Sequence, residues 1–344
     1  MYFSADTGSG YHIWRQRFPA GTPEQITTGI TEEEGIELTR DGRSLVTSIG
    51  MRQSTVWFHD FRGDRQVTSE GFALLPTVSP DSKTVYYLLR AEGGHHFASG
   101  ELWAADLQSG QRRRLFPDFL MKHFAISRDG RRVLFVASGS ASQSPVWLAD
   151  LDGRFTPRQI TTIDAWKAFF GADGDVIFMG EQPKIVYRSK EDGSNIERIV
   201  LVDSPGSQFS VSPDGRWVAI PDPSDPLAWP AMAYPVRGGS PVLLCIPCTG
   251  GNEVERVGPP GVSWSPTGKF LYLKLRDSMY SIPLPPGQML PSMPRSGFRS
   301  EQDVAVRPGV QLISEPGAFP GPDPSIYAFT RVTTHRNIYE IRVP

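Results

Sequence analysis

The stretch "VSPDGRWVAI", Val211 to Ile220, reads as a tight corner followed by a strand. Pro pre-sets φ near −65°, Asp bonds the backbone two residues on, and Gly admits a positive φ, so the chain reverses within four residues. The β-branched, aromatic and aliphatic residues that follow suit a strand buried on both faces.

Relatives of this phrase recur along the chain: "LTRDGRSLVTSI" from Leu38, "VSPDSKTVYYLL" from Val78, "ISRDGRRVLFVA" from Ile126 and "WSPTGKFLYLKL" from Trp264. Aligned on the turn, Asp41, Asp81, Asp129, Asp173, Asp214, Thr267 and Asp323 fall at equivalent places. Their spacing, roughly forty to fifty-six residues filled by short strands, is the period of propeller blades. No segment sustains a 3.6-residue apolar period, so few helices are expected.

Each unit follows one grammar. An apolar lead-in such as "HFAI" (123–126) reaches the corner, a second strand follows, and a variable loop leads to a third strand. Trp14, Trp57, Trp103, Trp147, Tyr187, Tyr280 and Tyr339 mark that third strand, with Leu244 as the exception. Large side chains there supply the core between blades, since one blade cannot bury both faces alone. A turn and an outer strand such as "RQITT" (158–162) complete the unit. The expected fold is therefore an all-β propeller of four-stranded antiparallel blades. Eight pairs of second and third strands can be counted, which predicts eight blades, with seven as the alternative.

The sequence reads as one propeller domain over 1–344. Met1 falls where a second strand should start, which predicts the C-terminal part of a longer chain. Two Pro-rich stretches, 221–241 and 283–324, interrupt the grammar as irregular excursions. Long propeller loops lie on one face and carry recognition, so Trp229 and Tyr234, placed in the first excursion, are the candidate binding residues.

Composition narrows the function. The 344 residues carry 35 basic and 37 acidic side chains, a balance that gives no footprint for nucleic acid. The longest apolar runs, about five residues, fall far short of the roughly 20 that cross a bilayer, so no membrane span is expected in this segment. Cys245 and Cys248 form a lone "CIPC" on what reads as a strand. Three residues apart on a regular strand they would face opposite ways, so neither a disulfide nor a metal site is expected.

The corners "SPDS" (79–82), "SRDG" (127–130), "SPDG" (212–215) and "SPTG" (265–268), with the third-to-outer-strand run "VWLADLDGRFTPRQITT" (146–162), resemble the TolB-like or WD40-like PD40 propeller repeats of bacteria. The resemblance covers nearly the whole chain and departs from the pattern at Thr267 and in the last repeat. It implies a protein-interaction platform or a sensor region. The opening and the ending look most like propellers linked to bacterial Ser/Thr kinases. A periplasmic or otherwise extracytoplasmic location is favoured if the resemblance holds.

No motif for chemistry appears. Gly-x-Ser-x-Gly is absent, as are a Walker loop, His-Glu-x-x-His, an EF-hand and the kinase signature set. The expectation is a non-enzymatic propeller with no catalytic residue, metal site or cofactor. Its partner would be a protein, a peptide or a small ligand at the channel face. The alternative is the accessory propeller of a multidomain enzyme, a membrane-linked Ser/Thr kinase or an oligopeptidase, whose catalytic domain lies outside this chain.

Overall fold

The repeated corner is held by side chains that recur at fixed places. Ser212 Oγ donates to the Asp214 carboxylate at 2.6 Å and accepts the Trp217 N–H at 3.0 Å, while Asp214 accepts the Arg216 N–H at 3.0 Å. Gly215 takes a φ of +67°, where a Cβ would crowd the backbone. Ser79–Asp81, Ser127–Asp129 and Thr39–Asp41 repeat the hydroxyl–carboxylate pair. Where Thr267 replaces the Asp, its hydroxyl lies 3.1 Å from that of Ser265 and donates to the Pro322 carbonyl at 3.0 Å. The Thr267 side chain thus reaches the next repeat, while Ser265 Oγ still accepts the Lys269 and Phe270 N–H groups of its own corner.

A computed structural model describes residues 1–344 apart from 7–9, 30, 70, 91–98, 139–142, 182–184, 202–208, 222–229, 249–257 and 344. A small sheet opens the chain: β1 (Tyr2–Asp6), β2 (Tyr11–Arg15) and β3 (Glu24–Gln25). Next come β4 (Glu32–Leu38), the long β5 (Ser44–Asp60) and β6 (Gly63–Gln66). Five four-stranded antiparallel blades follow. Blade I is β7 (Phe72–Val78), β8 (Thr84–Arg90), β9 (Glu101–Asp106) and β10 (Arg112–Leu115). Blade II is β11 (Met121–Ile126), β12 (Arg132–Ala137), β13 (Val146–Asp150) and β14 (Arg158–Gln159). Blade III is β15 (Ala165–Phe170), β16 (Asp175–Gly180), β17 (Ile185–Lys190) and β18 (Glu197–Leu201). Blade IV is β19 (Ser210–Val211), β20 (Trp217–Pro221), β21 (Ala231–Pro235) and β22 (Val242–Cys245). Blade V is β23 (Val262–Trp264), β24 (Phe270–Leu275), β25 (Ser278–Pro283) and β26 (Gln311–Ile313), with the short helix α1 (Glu301–Ala305) between its last two strands. The chain ends on β27 (Phe319–Pro320) and the long β28 (Tyr327–Arg342).

Blade VI is shared between the two ends of the described chain. The first half of β28 pairs with β27 on one side and with residues 52–59 of β5 on the other, and β5 in turn pairs with β6. Inner, second, third and outer strands are therefore β27, β28, β5 and β6. The second half of β28 pairs with the first half of β5, which also pairs with β4, and builds a sheet outside the ring.

This arrangement corrects the expected strand pairing. The second and third strands of the "LTRDG" unit were expected to fold back on each other, as were those of the last unit. Instead each pair runs straight on as one strand, because neither "SIGMRQST" (48–55) nor "VTTHRNIY" (332–339) carries a turn dipeptide. The halves then exchange partners: Trp57 pairs with Phe329, and Tyr339 with Thr47.

The blade number changes accordingly. Six apolar clusters, one at each boundary between neighbouring blades, close a ring of six among the described residues. They contain Leu102 with Phe135 for blades I and II, Leu134 with Phe178 for II and III, and Ile177 with Val218 for III and IV. Leu244 with Leu271, Tyr272 with Phe329, and Phe58 with Tyr87 complete the circuit. Eight second-and-third-strand pairs overcounted the ring, since β1–β2 and the paired first half of β5 and second half of β28 belong to the appended sheets. Burying one such side chain stabilises by roughly 1.5–3 kcal/mol, so these interfaces hold the ring together.

The appended sheets are joined by a buried polar contact. His12 Nδ1 and Glu33 Oε2 lie 3.0 Å apart, exposed by 1% and 3%. Thr27 Oγ1 donates to the same carboxylate oxygen at 2.6 Å, and Ser4 Oγ donates to the Glu33 carbonyl at 2.6 Å.

Candidate functional site: the central channel

The lead-in stretch before each corner becomes the inner strand of a blade, and the six inner strands surround one cavity of about 260 Å³. Counting back from the corner residue places equivalent positions of different blades side by side. Two residues of each lead-in alternate toward the channel. The later of these is Thr77 in blade I, Ala125 in II, Phe169 in III, Ser210 in IV, Ser263 in V and Phe319 in VI, and all six line the cavity. The earlier one is Leu75 in blade I, His123 in II and Lys167 in III, also lining residues, while Gly261 and Gly317 take that place in V and VI.

His123 and Lys167 are set by matching irregularities. The β11–β12 register slips between Met121 and His123, and the β15–β16 register slips between Ala165 and Lys167. A bulge of this kind re-aims the side chain that follows it. The two residues thus stand on neighbouring blades at the same level.

Electrostatics there is one-sided. No Asp or Glu is among the described residues lining the cavity, whereas Lys167 and the exposed Arg128 are. Burial pushes the half-buried Lys167 ammonium down to about 8. Burial, with the Lys167 charge adding to it, holds the His123 imidazole well below its ordinary range, so the ring is neutral at pH 7. The Ala168 N–H donates to His123 Nδ1 at 3.5 Å, which leaves the ring proton on Nε2. The imidazole also packs against the Phe169 ring at 4.9 Å between centroids.

The channel hydroxyls differ in their bonding. Ser210 Oγ donates to the Val262 carbonyl at 2.6 Å and is committed. Ser263 is 8% exposed, and its Oγ is buried without a partner. A buried hydroxyl left unpaired costs about 1–3 kcal/mol, which a ligand acceptor or an ordered water would offset.

The residues expected from sequence lie elsewhere. Trp229 lies outside the described residues. Tyr234 is in strand β21, not in a loop, half-buried and packed on the cluster of Val218 and Val236. The reason is that the third strand of blade IV is 231–235, inside the expected 221–241 excursion. Leu244 then belongs to the outer strand, and Met232, opposite Ile220, holds the place that aromatics take in other blades. The 283–324 excursion supplies α1, β26 and β27, so it carries the outer strand of blade V and the inner strand of blade VI. Ser300 and Asp303 form a capping box at the start of α1.

Cys245 and Cys248 also depart from expectation. They are joined as a disulfide with Cα atoms 5.6 Å apart, both buried. Strand β22 ends at Cys245, so the alternation of a regular strand does not extend to Cys248. Among the described residues, no group of three or more His, Cys, Asp or Glu is placed to hold a metal ion. No helix among the described residues is long and apolar enough to cross a membrane.

Comparison with solved structures fixes the architecture. A putative TolB from Agrobacterium tumefaciens superposes with a TM-score of 0.55 at 16% identity, over 83% of this chain and 99% of that one. The fold is a TolB-like β-propeller. TolB from Acinetobacter baumannii matches with a TM-score of 0.50 at 16% identity, over 82% of this chain and 76% of that one. No protein-family model matches the chain, and no curated protein sequence does. At this identity the likeness concerns the TolB-like fold alone.

Lys167, His123 and Ser263 had not been singled out from sequence. The available signal was "AWKAFF" (165–170), a charged residue inside an otherwise apolar lead-in. That signal acquires meaning only when Lys167 is aligned with Leu75 and His123.

Proposed function

We propose that this protein is a non-enzymatic binding propeller that takes a small ligand or the end of a peptide into its central channel. The observation that carries this reading is the convergence of six inner strands on one cavity whose walls mix apolar side chains with Lys167, His123 and an unpaired Ser263 hydroxyl. Mostly apolar concave sites with a few convergent polar groups are the usual form of a ligand pocket. Scattered polar groups at a channel mouth serve to orient a ligand, and no nucleophile paired with a base stands among the described lining residues.

The Cys245–Cys248 disulfide fits an oxidising compartment, which supports an extracytoplasmic location.

The test is occlusion. Thr77 is half-buried on the channel wall, and Thr77→Trp fills part of the cavity. Small organic molecules and short peptides are screened by thermal shift against wild type, and each hit is titrated into the variant. Binding of the hits should fall at least tenfold. Hits that bind the variant as tightly as wild type place recognition outside the channel.

A further inference from the structure

We propose that the channel is a carboxylate site, in which Lys167 receives the anionic head of an organic acid whose apolar body lies against Phe169 and Phe319. This deepens the channel-binding reading and rests on it.

The charge pattern selects the sign of the ligand. Lys167 lines the cavity, has no described hydrogen bond or ion pair, and faces no carboxylate among the described lining residues. The neighbouring Lys122, by contrast, is paired to Glu181 at 2.9 Å and is absent from the lining. A half-buried ammonium without a counter-charge costs stability that the fold does not recover internally. An incoming anion supplies the missing partner, and the enclosure strengthens the pairing relative to bulk water.

The donors around Lys167 select the head group. Three kinds belong to the lining residues: one ammonium, the His123 imidazole with its proton on Nε2, and the buried, unpaired Ser263 hydroxyl. That set suits the two oxygens of a carboxylate. A phosphate would call for an arginine fork or a run of backbone N–H groups, and the only arginine of the described lining, Arg128, sits exposed at the corner, several residues along from the Lys167 level.

Space and apolar surface select the body. At the level of Lys167, blades V and VI carry Gly261 and Gly317, which add no side chain of their own, and the Glu315 carboxylate accepts the Gly317 N–H at 3.0 Å. At the next level Phe169 and Phe319 are half-buried and keep ring surface facing the cavity. A ring or alkyl group lying there removes apolar area from water while its carboxylate stays near Lys167. The same chemistry is offered by a free organic acid and by the C-terminus of a peptide ending in an apolar residue.

The experiment is calorimetric titration at pH 7 with four probes: phenylacetate, phenylacetamide, acetyl-Ala-Phe with a free C-terminus, and its C-terminal amide. At least one free acid should bind wild type ten or more times more tightly than its amide. Lys167→Met should weaken the acid at least tenfold, about 1.4 kcal/mol, and leave the amide unchanged, while Lys167→Arg retains most of the affinity. A tighter phenylacetate identifies a free acid as the natural source, and a tighter peptide acid identifies a chain terminus; either supports the site. Equal binding of acid and amide, unchanged acid binding by Lys167→Met, or no binding of either acid to wild type overturns the proposal. Circular dichroism and thermal melting establish that each variant is folded. The occlusion test with Thr77→Trp is independent of charge, so an uncharged ligand lost from that variant would sink the carboxylate site and keep the channel.

Discussion

His59 and Tyr327 lie opposite each other in the β5–β28 ladder, their rings stacked with centroids 4.4 Å apart and planes 10° from parallel. They come from opposite ends of the chain, and their pairing is where the propeller ring is joined. Trp57 and Phe329, two residues further along each strand, stack in the same way at 6.3 Å. Blade VI therefore forms only when residues 319–334 are brought against residues 52–66.

Truncation should separate the ring from the appended sheets. A chain ending at Thr334 keeps the half of β28 that pairs with β27 and residues 52–59 of β5, and should melt within a few degrees of wild type. A chain ending at Gly317 loses β27 and β28, opens the ring and should lose its cooperative transition. Calorimetry on the two chains checks this. Equal melting of both would mean that blade VI does not close the ring.

The two corner glycines Gly215 and Gly42 should differ in cost. Both have positive φ, +67° and +70°. A Cβ at Gly42 meets nothing within 4 Å, whereas one at Gly215 collides with the backbone of Gly171 and Ala172 in blade III. Gly42→Ala should cost about 1 kcal/mol from φ alone. Gly215→Ala should cost about 3 kcal/mol, since packed backbone cannot yield without strain. Urea unfolding measures both.

Acid sensitivity should reside in the corners. Asp81 and Asp129 are held below the ordinary carboxylate range, chiefly by the hydroxyls of Ser79 and Ser127. A depressed native pKa means that the folded state binds fewer protons than the unfolded one in that window. The stabilisation is then complete above about pH 4 and lost as pH falls through the native value. Ser79→Ala with Ser127→Ala should flatten the fall in stability below about pH 4. An unchanged slope in stability against pH would assign the acid limb to other groups.

Lys167→Met should raise the melting temperature while it weakens anion binding. The group's value is lowered to about 8, so its proton is held less tightly folded than unfolded. The cost of the buried charge is fully present below pH 8 and is relieved as pH rises toward the unfolded value near 10.4. An apolar side chain of similar volume removes that cost, a gain of about 1 kcal/mol or more at pH 7. The gain should shrink at pH 10. A variant less stable than wild type at pH 7 would show that Lys167 has a structural partner.

The Cys245–Cys248 disulfide closes a very short loop, so removing it should cost only about 2 kcal/mol in the chain-entropy account. Cys245→Ala with Cys248→Ala should fold and melt a few degrees lower, by differential scanning calorimetry. Reduction should affect blades IV and V first, because both sulfurs lie in the cluster between them.

The repeated corner made the architecture readable from sequence, because a turn needs particular residues at particular places and those residues are visible locally. Ser212, Asp214 and Gly215 do the work that their types implied. The aromatics of the third strand were legible as inter-blade core for the same reason: Trp103, Trp147, Tyr187 and Tyr280 pack on the clusters between blades. Tyr234 was misplaced because the third strand of blade IV lies within a Pro-rich stretch whose composition reads as loop.

What the sequence determined by itself was the blade, since its signals are short-range. The number of blades in the ring, the exchange of β5 and β28, and the meeting of Lys167 with His123 were decided only by tertiary structure. Each depends on pairing between segments far apart in the chain, where register and ring closure select the partner.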